Sequence, residues 1–136
     1  MPEKPLPEID ADSAPFWRGT MERRLMLPFC TGCGRPHFPP RALCPHCHGD
    51  GLEWKRASGE GTIYTYTIAR RGAGPAFEDE APYVVALIDL AEGVRMMSNV
   101  ITDDFEKIAI GAPVRVVFER AADKVTLPKF ELAGEG

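Results

Sequence analysis

A mainly β chain is what this sequence predicts, with one short helix ahead of a small cysteine-bearing hairpin module and a five-stranded barrel behind it. Three observations carry the prediction. Two Cys-x-x-Cys pairs, Cys30-Thr-Gly-Cys33 and Cys44-Pro-His-Cys47, stand ten residues apart. From Gly59 onward the texture changes to alternating apolar and polar runs punctuated by turns. A brief helical signal falls between the third and fourth of these runs, which is the layout of an OB-type Greek-key barrel.

The cysteine pairs define the first module. Four thiolates at this separation can converge on one point, and that suits Zn²⁺ in a closed, tetrahedral structural site. The predicted ligands are Cys30, Cys33, Cys44 and Cys47, in a rubredoxin-like zinc ribbon over residues 25–57. Gly32 and Gly34 supply permissive backbone in the first knuckle, and Pro45 stiffens the second. So small a unit cannot bury enough surface to fold unaided, so the metal supplies the folding energy. Losing one ligand, as in Cys33→Ser, is expected to unfold the ribbon, abolish partner binding and leave the barrel folded. The competing reading is two disulfides in an exported protein. It requires an export signal, and Met1-Pro2-Glu3-Lys4-Pro5 begins nothing of that kind.

Composition narrows the class. With 136 residues, 44% of them hydrophobic, the chain can build a packed core. No apolar run approaches the ~18–20 residues that span a bilayer, so the expectation is a soluble, cytoplasmic protein whose thiols stay reduced. The net charge of −4 is unevenly spread: residues 1–17 balance to −3, residues 18–56 to +4 and residues 57–136 to −5. The cysteine module is the basic part of an acidic protein. That can attract a compact anion but is thin for a nucleic-acid binder.

In chain order, residues 1–13 form a Pro-rich, acidic, extended arm. Residues 14–24 read as a helix, with Ser13 as its cap and Pro15 in the first turn. Trp17, Met21 and Leu25 fall four apart and make one apolar stripe. Leu25–Phe29 reads as a strand into the first knuckle, His37-Phe38 pairs briefly with it, and Leu52–Arg56 leaves the second knuckle as the third ribbon strand. The barrel occupies residues 58–136. Its first strand runs from Thr62 to Arg70, with Ile63, Thr65 and Thr67 on one face and Tyr64, Tyr66 and Ile68 on the other. Tyr83–Leu90, nearly all apolar, is expected to be covered on both faces. Val94–Ile101, a capped turn at Thr102–Glu106, Val114–Arg120 and Val125–Leu132 complete it. The connection from Arg71 to Pro82, rich in Gly and Pro with Phe77 as its one large apolar side chain, borders the binding face of such barrels.

No catalytic centre emerges. The four cysteines are committed to metal, and a closed four-sulfur zinc has no open position for water. His37 has no carboxylate or serine neighbour in sequence, while His46 and His48 flank the last ligand and read as exposed knuckle residues rather than as substitute ligands. The expectation is a chain with no turnover of its own.

The segments Phe16-Trp17-x-Gly19, Cys30-x-x-Cys33-Gly34, Phe38-Pro-Pro-Arg41-x-x-Cys44-Pro-x-Cys47, Gly61-Thr-Ile-Tyr64-Thr-Tyr66, Pro82-Tyr-Val-Val-Ala-Leu87, Ile110-Gly-x-Pro-Val114 and Thr126-Leu-Pro-x-Phe130 together resemble the acyl-CoA-associated family of zinc-ribbon plus OB-fold proteins. The resemblance runs from Phe16 to Phe130. It implies a companion subunit of a thiolase-fold enzyme on a separate chain: a thiolase, a hydroxymethylglutaryl-CoA synthase, an acyltransferase or a sterol side-chain aldolase. It also implies that the barrel receives an acyl-CoA while the ribbon and leading helix bind the partner. Arg24, Arg41, Lys55 and Arg56 are then candidates for the phosphates. Tyr64, Tyr66, Phe77, Tyr83 and Met96 or Met97 are candidates for an apolar slot. Phe16, Trp17 and Met21 are candidates for the partner contact. The rival function is a single-stranded nucleic-acid module, with Tyr64 and Tyr66 as stacking platforms.

Overall fold

The computed structural model describes residues 9–38, 40–70, 82–123 and 125–133. The Arg71–Pro82 connection, with Phe77, lies outside them except for its last residue, as does the arm up to residue 8. Among the described residues one α-helix, α1 (Ala14–Met21), precedes seven strands: β1 (Met26–Cys30), β2 (Leu52–Arg56), β3 (Glu60–Ala69), β4 (Tyr83–Leu90), β5 (Arg95–Ile101), β6 (Pro113–Ala122) and β7 (Val125–Leu132). β1 and β2 form an antiparallel ribbon, and β3–β7 close into a barrel in the order β3-β4-β5-β7-β6. A short 3₁₀ turn, Phe105–Lys107, links β5 to β6, and the Asp104 carboxylate caps it by accepting from the Glu106 N–H. The mainly β class and the five-stranded OB-type barrel are as the sequence predicts.

α1 is shorter than predicted, and its stripe is different. Arg23 adopts φ +61°, and the Glu22, Arg23 and Arg24 N–H groups fold back onto the carbonyls of Gly19 and Thr20. That left-handed turn ends the helix before Leu25 can extend the Trp17–Met21 row. The buried face is Phe16, Gly19 and Thr20, at the i, i+3, i+4 spacing. A Cβ on Gly19 would collide with the Met26 side chain, so helix and β1 approach more closely there than any other residue allows. Ser13 does not cap the helix with its side chain. It exchanges hydrogen bonds with Asp10 instead, Ser13 N–H to Asp10 Oδ1 at 2.8 Å and Asp10 N–H to Ser13 Oγ at 3.2 Å.

Two strand readings also change. A bulge between Ile63 and Thr65 inserts one residue into β3 and reverses the alternation after it. Ile63 is buried, Tyr66 and Ile68 pack against the core, and Tyr64 is 48% exposed, so the two tyrosines point in opposite directions. β4 buries Val84, Ala86, Ile88 and Leu90 on its inner face. Tyr83, Val85, Leu87 and Asp89, on the outer face, are only half-buried, so the strand is not covered on both sides. In the ribbon, the expected pairing at His37-Phe38 is a single bridge one residue earlier, Pro36 with Phe29. The His37 N–H then donates to the Pro28 carbonyl at 3.1 Å.

The core is continuous across both modules. Leu25, Leu27 and Ala57, at or beside the ends of the ribbon strands, and Phe16 from α1 belong to the same buried cluster as Ile63, Ile88, Val114 and Phe130 of the barrel. Leu27 and Phe130 are fully buried. At the seam between β5 and β7 the pairing is parallel and brief, Val100 with Phe130 and Ile101 with Glu131. Pro128, two residues before Phe130, has no N–H to extend this ladder. The Ser98 hydroxyl donates to the Pro128 carbonyl at 2.8 Å in its place.

Candidate metal centre and binding face

The two knuckles are built alike. The Gly34 N–H donates to the Cys30 carbonyl and the His48 N–H to the Cys44 carbonyl, both at 2.8 Å. Each residue sits just after the second cysteine of its pair with positive φ, +75° for Gly34 and +64° for His48. The permissive position in the first knuckle is therefore Gly34, and its counterpart in the second is held by a residue that pays about 1–2 kcal/mol for that conformation. His48→Gly is expected to stabilise the protein by about 0.5–1 kcal/mol. Gly34→Ala is expected to destabilise it by at least as much, and paired denaturant titrations of the zinc-loaded variants would read both signs.

These turns bring four sulfurs together. All four lie within 4.8 Å of one another, with Cys30 Sγ 3.5 Å from Cys47 Sγ and Cys33 Sγ 3.7 Å from Cys44 Sγ. A tetrahedron of thiolates about 2.3 Å from zinc has edges of about 3.8 Å, so the cluster has the dimensions of that site. Backbone N–H groups support it, Cys33 N–H to Cys30 Sγ at 3.5 Å and His46 N–H to Cys44 Sγ at 3.4 Å. Cys30 and Cys44 are buried and Cys33 and Cys47 exposed.

The electrostatics fit a cation as well. The Cys33 N–H is the main influence lowering the Cys30 thiol to about 7. The Gly49 N–H acts to lower Cys47 too, yet the surrounding sulfurs of Cys30, Cys33 and Cys44, together with burial, push it up to about 11. Four thiols this close cannot all ionise without a positive charge among them, and a divalent ion supplies it. The residues present fit structural zinc.

His37 lies beside this module, 3% exposed, and neither ring nitrogen has a hydrogen-bond partner among the described residues. Burial pushes its pKa below 6.5, outweighing the Arg41 backbone, which favours the protonated ring; the nearby charges of His46 and Arg41 add to the lowering. Above pH 6.5 the ring is neutral in both folded and unfolded chains. As pH falls below 6.5, the unfolded chain takes up the proton first, so stability drops. His37→Leu is expected to narrow the loss of thermal midpoint between pH 7 and pH 5.5 relative to the unmodified chain, measured side by side. Equal losses would rule out this role.

The other candidate residues have local partners of their own or lie exposed. Arg24 lies 3.7 Å from Glu22, and Lys55 lies 4.0 Å from Glu53 and 5.1 Å above the Phe29 ring. Lys55 and Arg56 are adjacent on β2 and so project to opposite faces, and Arg41 is exposed between the knuckles. The expected slot is divided too. Tyr66, whose hydroxyl donates to the Ile108 carbonyl at 3.4 Å, packs inside with the buried Met96, while Tyr64 and the 69% exposed Met97 face outward. Of the expected partner contacts, Phe16 is buried in the chain's own core, its ring 4.9 Å from Trp17 and 5.4 Å from Phe38; Trp17 is half-buried and Met21 exposed. A cavity of about 250 Å³ lies elsewhere, between the end of β5, the 3₁₀ turn and the β6–β7 pair, lined by Thr102, Lys107, Arg115, Glu131 and Leu132 among others. None of the predicted binding residues lines it.

Sequence reasoning passed over one feature of the outer barrel face. Arg95 on β5 makes two hydrogen bonds to the Asp89 carboxylate on β4, from Nε at 2.6 Å and from Nη2 at 3.3 Å. Its guanidinium lies 3.4 Å from the centre of the Tyr64 ring. The signal that could have found it is the cross-strand pairing of positions 89 and 95 around the Glu92-Gly93 turn.

Residues 17–53 match the model described as ChsH2, rubredoxin-like zinc ribbon domain, and residues 54–119 the model described as ChsH2, C-terminal OB-fold domain. A probable enoyl-CoA hydratase alpha subunit from Thermomonospora curvata is 38% identical over 96% of this chain, which spans only 40% of that protein's length. A DUF35 domain-containing scaffold protein from Methanothermobacter thermautotrophicus is 37% identical over 79% of this chain and 82% of its own. A solved structure titled Ltp2-ChsH2(DUF35) aldolase aligns with a TM-score of 0.84 at 38% identity, covering 94% of this chain and 99% of the matched one. No helix among the described residues is long and apolar enough to cross a membrane. With both modules matched in order and a relative covered over 82% of its length at 37% identity, the chain belongs to the DUF35 family of ChsH2-type zinc-ribbon and OB-fold proteins.

Proposed function

We propose that this chain is a non-catalytic companion subunit that assembles with a thiolase-fold enzyme on a separate chain and holds the acyl-CoA thioester on which that enzyme acts. The observation that carries the reading is the near-complete structural match to the ChsH2(DUF35) component of an aldolase, at 38% identity and without additional domains in the matched chain. The site chemistry supports it. A closed set of four sulfurs suits a scaffold and leaves no position for activating water. In this reading the partner contact uses Met21 and the exposed part of Trp17 on α1, and Phe16 supports them from within. Arg41 and Lys55 remain candidates for the phosphates of CoA, and Tyr64 for its ring or tail. The assembly works in the cytoplasm, where the thiols stay reduced and available to zinc.

Co-expression with a thiolase-fold chain from the same organism is the direct test. The expected result is a stable hetero-oligomer on gel filtration and an acyl-CoA binding isotherm from the complex. Clean separation of the two chains, with the enzyme's activity unchanged by the addition, would overturn the reading. Turnover of a thioester by the isolated chain would overturn its non-catalytic part.

A further inference from the structure

The outer face of β3–β4–β5 carries a feature that the acyl-CoA reading does not by itself assign. The bulge in β3 turns Tyr64 outward, and the Arg95 guanidinium carbon lies 3.4 Å from the centre of its ring. Asp89 orients the guanidinium through two hydrogen bonds. One face of Arg95 is covered by Tyr64, yet 46% of the side chain stays exposed, which leaves the opposite face open to solvent. The Asp89 carboxylate answers the Arg95 charge, so this arginine is not a free hand for phosphate. What it offers is a rigid, flat, polarisable surface. Directly alongside, the register places Leu87 between Thr65 and Met97, and Val85 continues the outward row on β4. The second and third strands of an OB barrel, here β4 and β5, carry the fold's usual binding face.

We propose that the Tyr64–Arg95–Asp89 unit is a stacking position for the purine ring of a nucleotide, with the neighbouring Leu87–Met97 stripe receiving an apolar extension of the same ligand. A purine laid on the open face of Arg95 completes a three-layer stack of tyrosine, guanidinium and base. The proposal rests on the reading that the chain binds an acyl-CoA, a ligand with both an adenine and an apolar tail, and it names where the adenine goes. Arg95 and Asp89 act as binding and positioning residues respectively.

The test uses the zinc-loaded full chain, titrated with hexanoyl-CoA by calorimetry and by absorbance at the adenine band, which loses intensity when the base stacks. Arg95→Lys keeps the charge and removes the plane; it is expected to weaken binding about tenfold and abolish the absorbance change. Tyr64→Phe keeps the ring and is expected to behave like the unmodified chain, while Tyr64→Ala behaves like Arg95→Lys. Circular dichroism and zinc content identical to the unmodified chain confirm that each variant is folded. Hexanoyl-CoA binding with an absorbance change that survives Arg95→Lys overturns the stacking position and leaves the acyl-CoA reading standing. Failure of the unmodified chain, alone and in its complex with the thiolase-fold enzyme, to bind hexanoyl-CoA overturns both. An oligo(dA) strand is the third arm: tighter binding to it than to hexanoyl-CoA, weakening steeply with salt, would assign the base to nucleic acid and overturn the proposal.

Discussion

Replacing Cys44 by serine is expected to abolish tight metal binding, melt the ribbon and lower the stability of the barrel as well. Cys44 is fully buried and contributes one of four sulfurs to a site with the dimensions of zinc. Structural zinc contributes about 10–16 kcal/mol to folding in zinc-finger peptides at neutral pH, far more than the net stability of a typical domain. A barrel indifferent to ribbon loss, the expectation for two separable modules, does not fit one core that contains Leu25, Leu27 and Ala57 together with Ile88 and Phe130. When the ribbon melts, these side chains leave the base of the barrel and expose what they covered. The measurement is thermal unfolding followed by circular dichroism, with zinc quantified in the same samples, for Cys44→Ser and for chelator-treated protein. A variant without zinc but with the unmodified midpoint would show that the metal does not hold the fold. Because the ligands bind as thiolates, zinc should also be released as pH falls and the sulfurs take up protons.

Phe130→Ala should cost about 3–5 kcal/mol, the second-largest effect we expect. Phe130 is fully buried, pairs with Val116 on β6 and Val100 on β5, and so stands where the barrel closes. Truncating it removes the ring from the core and opens a cavity at the point where the β5–β7 ladder is shortest. Ile110→Ala, at a position 70% exposed, is the control and should stay within about 0.5 kcal/mol of the parent. Urea titrations of both variants decide the matter; a loss below about 1 kcal/mol for Phe130→Ala would mean that the barrel is not closed by this side chain.

These expectations show which parts of the molecule the sequence displayed openly. The four cysteines were legible because metal chemistry demands a residue type at a spacing, and nothing else in the chain competes for it. β6 was legible because Val114, Val116 and Phe118 alternate along a stretch of ladder that keeps its register from Val114 to Arg120. β3 was not, because its alternation is broken by a bulge that depends on how β4 sits beside it. Periodicity put Tyr64 and Tyr66 on one face, and a single inserted residue separated them. The helix failed for a similar reason. Leu25 has the right spacing to extend the Trp17–Met21 row, but Arg23 enters the left-handed region, a conformation that no propensity assigns to arginine. The same holds at His48, whose conformation is imposed by the knuckle around it. The Arg95–Asp89–Tyr64 contact required cross-strand register, which composition and spacing leave open.

The short parallel pairing of β5 with β7 has a kinetic consequence. Along most of the barrel, opening requires several cross-strand bonds to break together, whereas here, among the described residues, the cross-strand bonding amounts to two registered pairs and one serine hydroxyl. Transient breathing of the native protein should therefore run along this line, and deuterium should reach the amides flanking Ser98 and Pro128 well before those of the β3–β4 hairpin. The barrel is thus a cylinder with a built-in slit, able to part on one side while the rest stays shut.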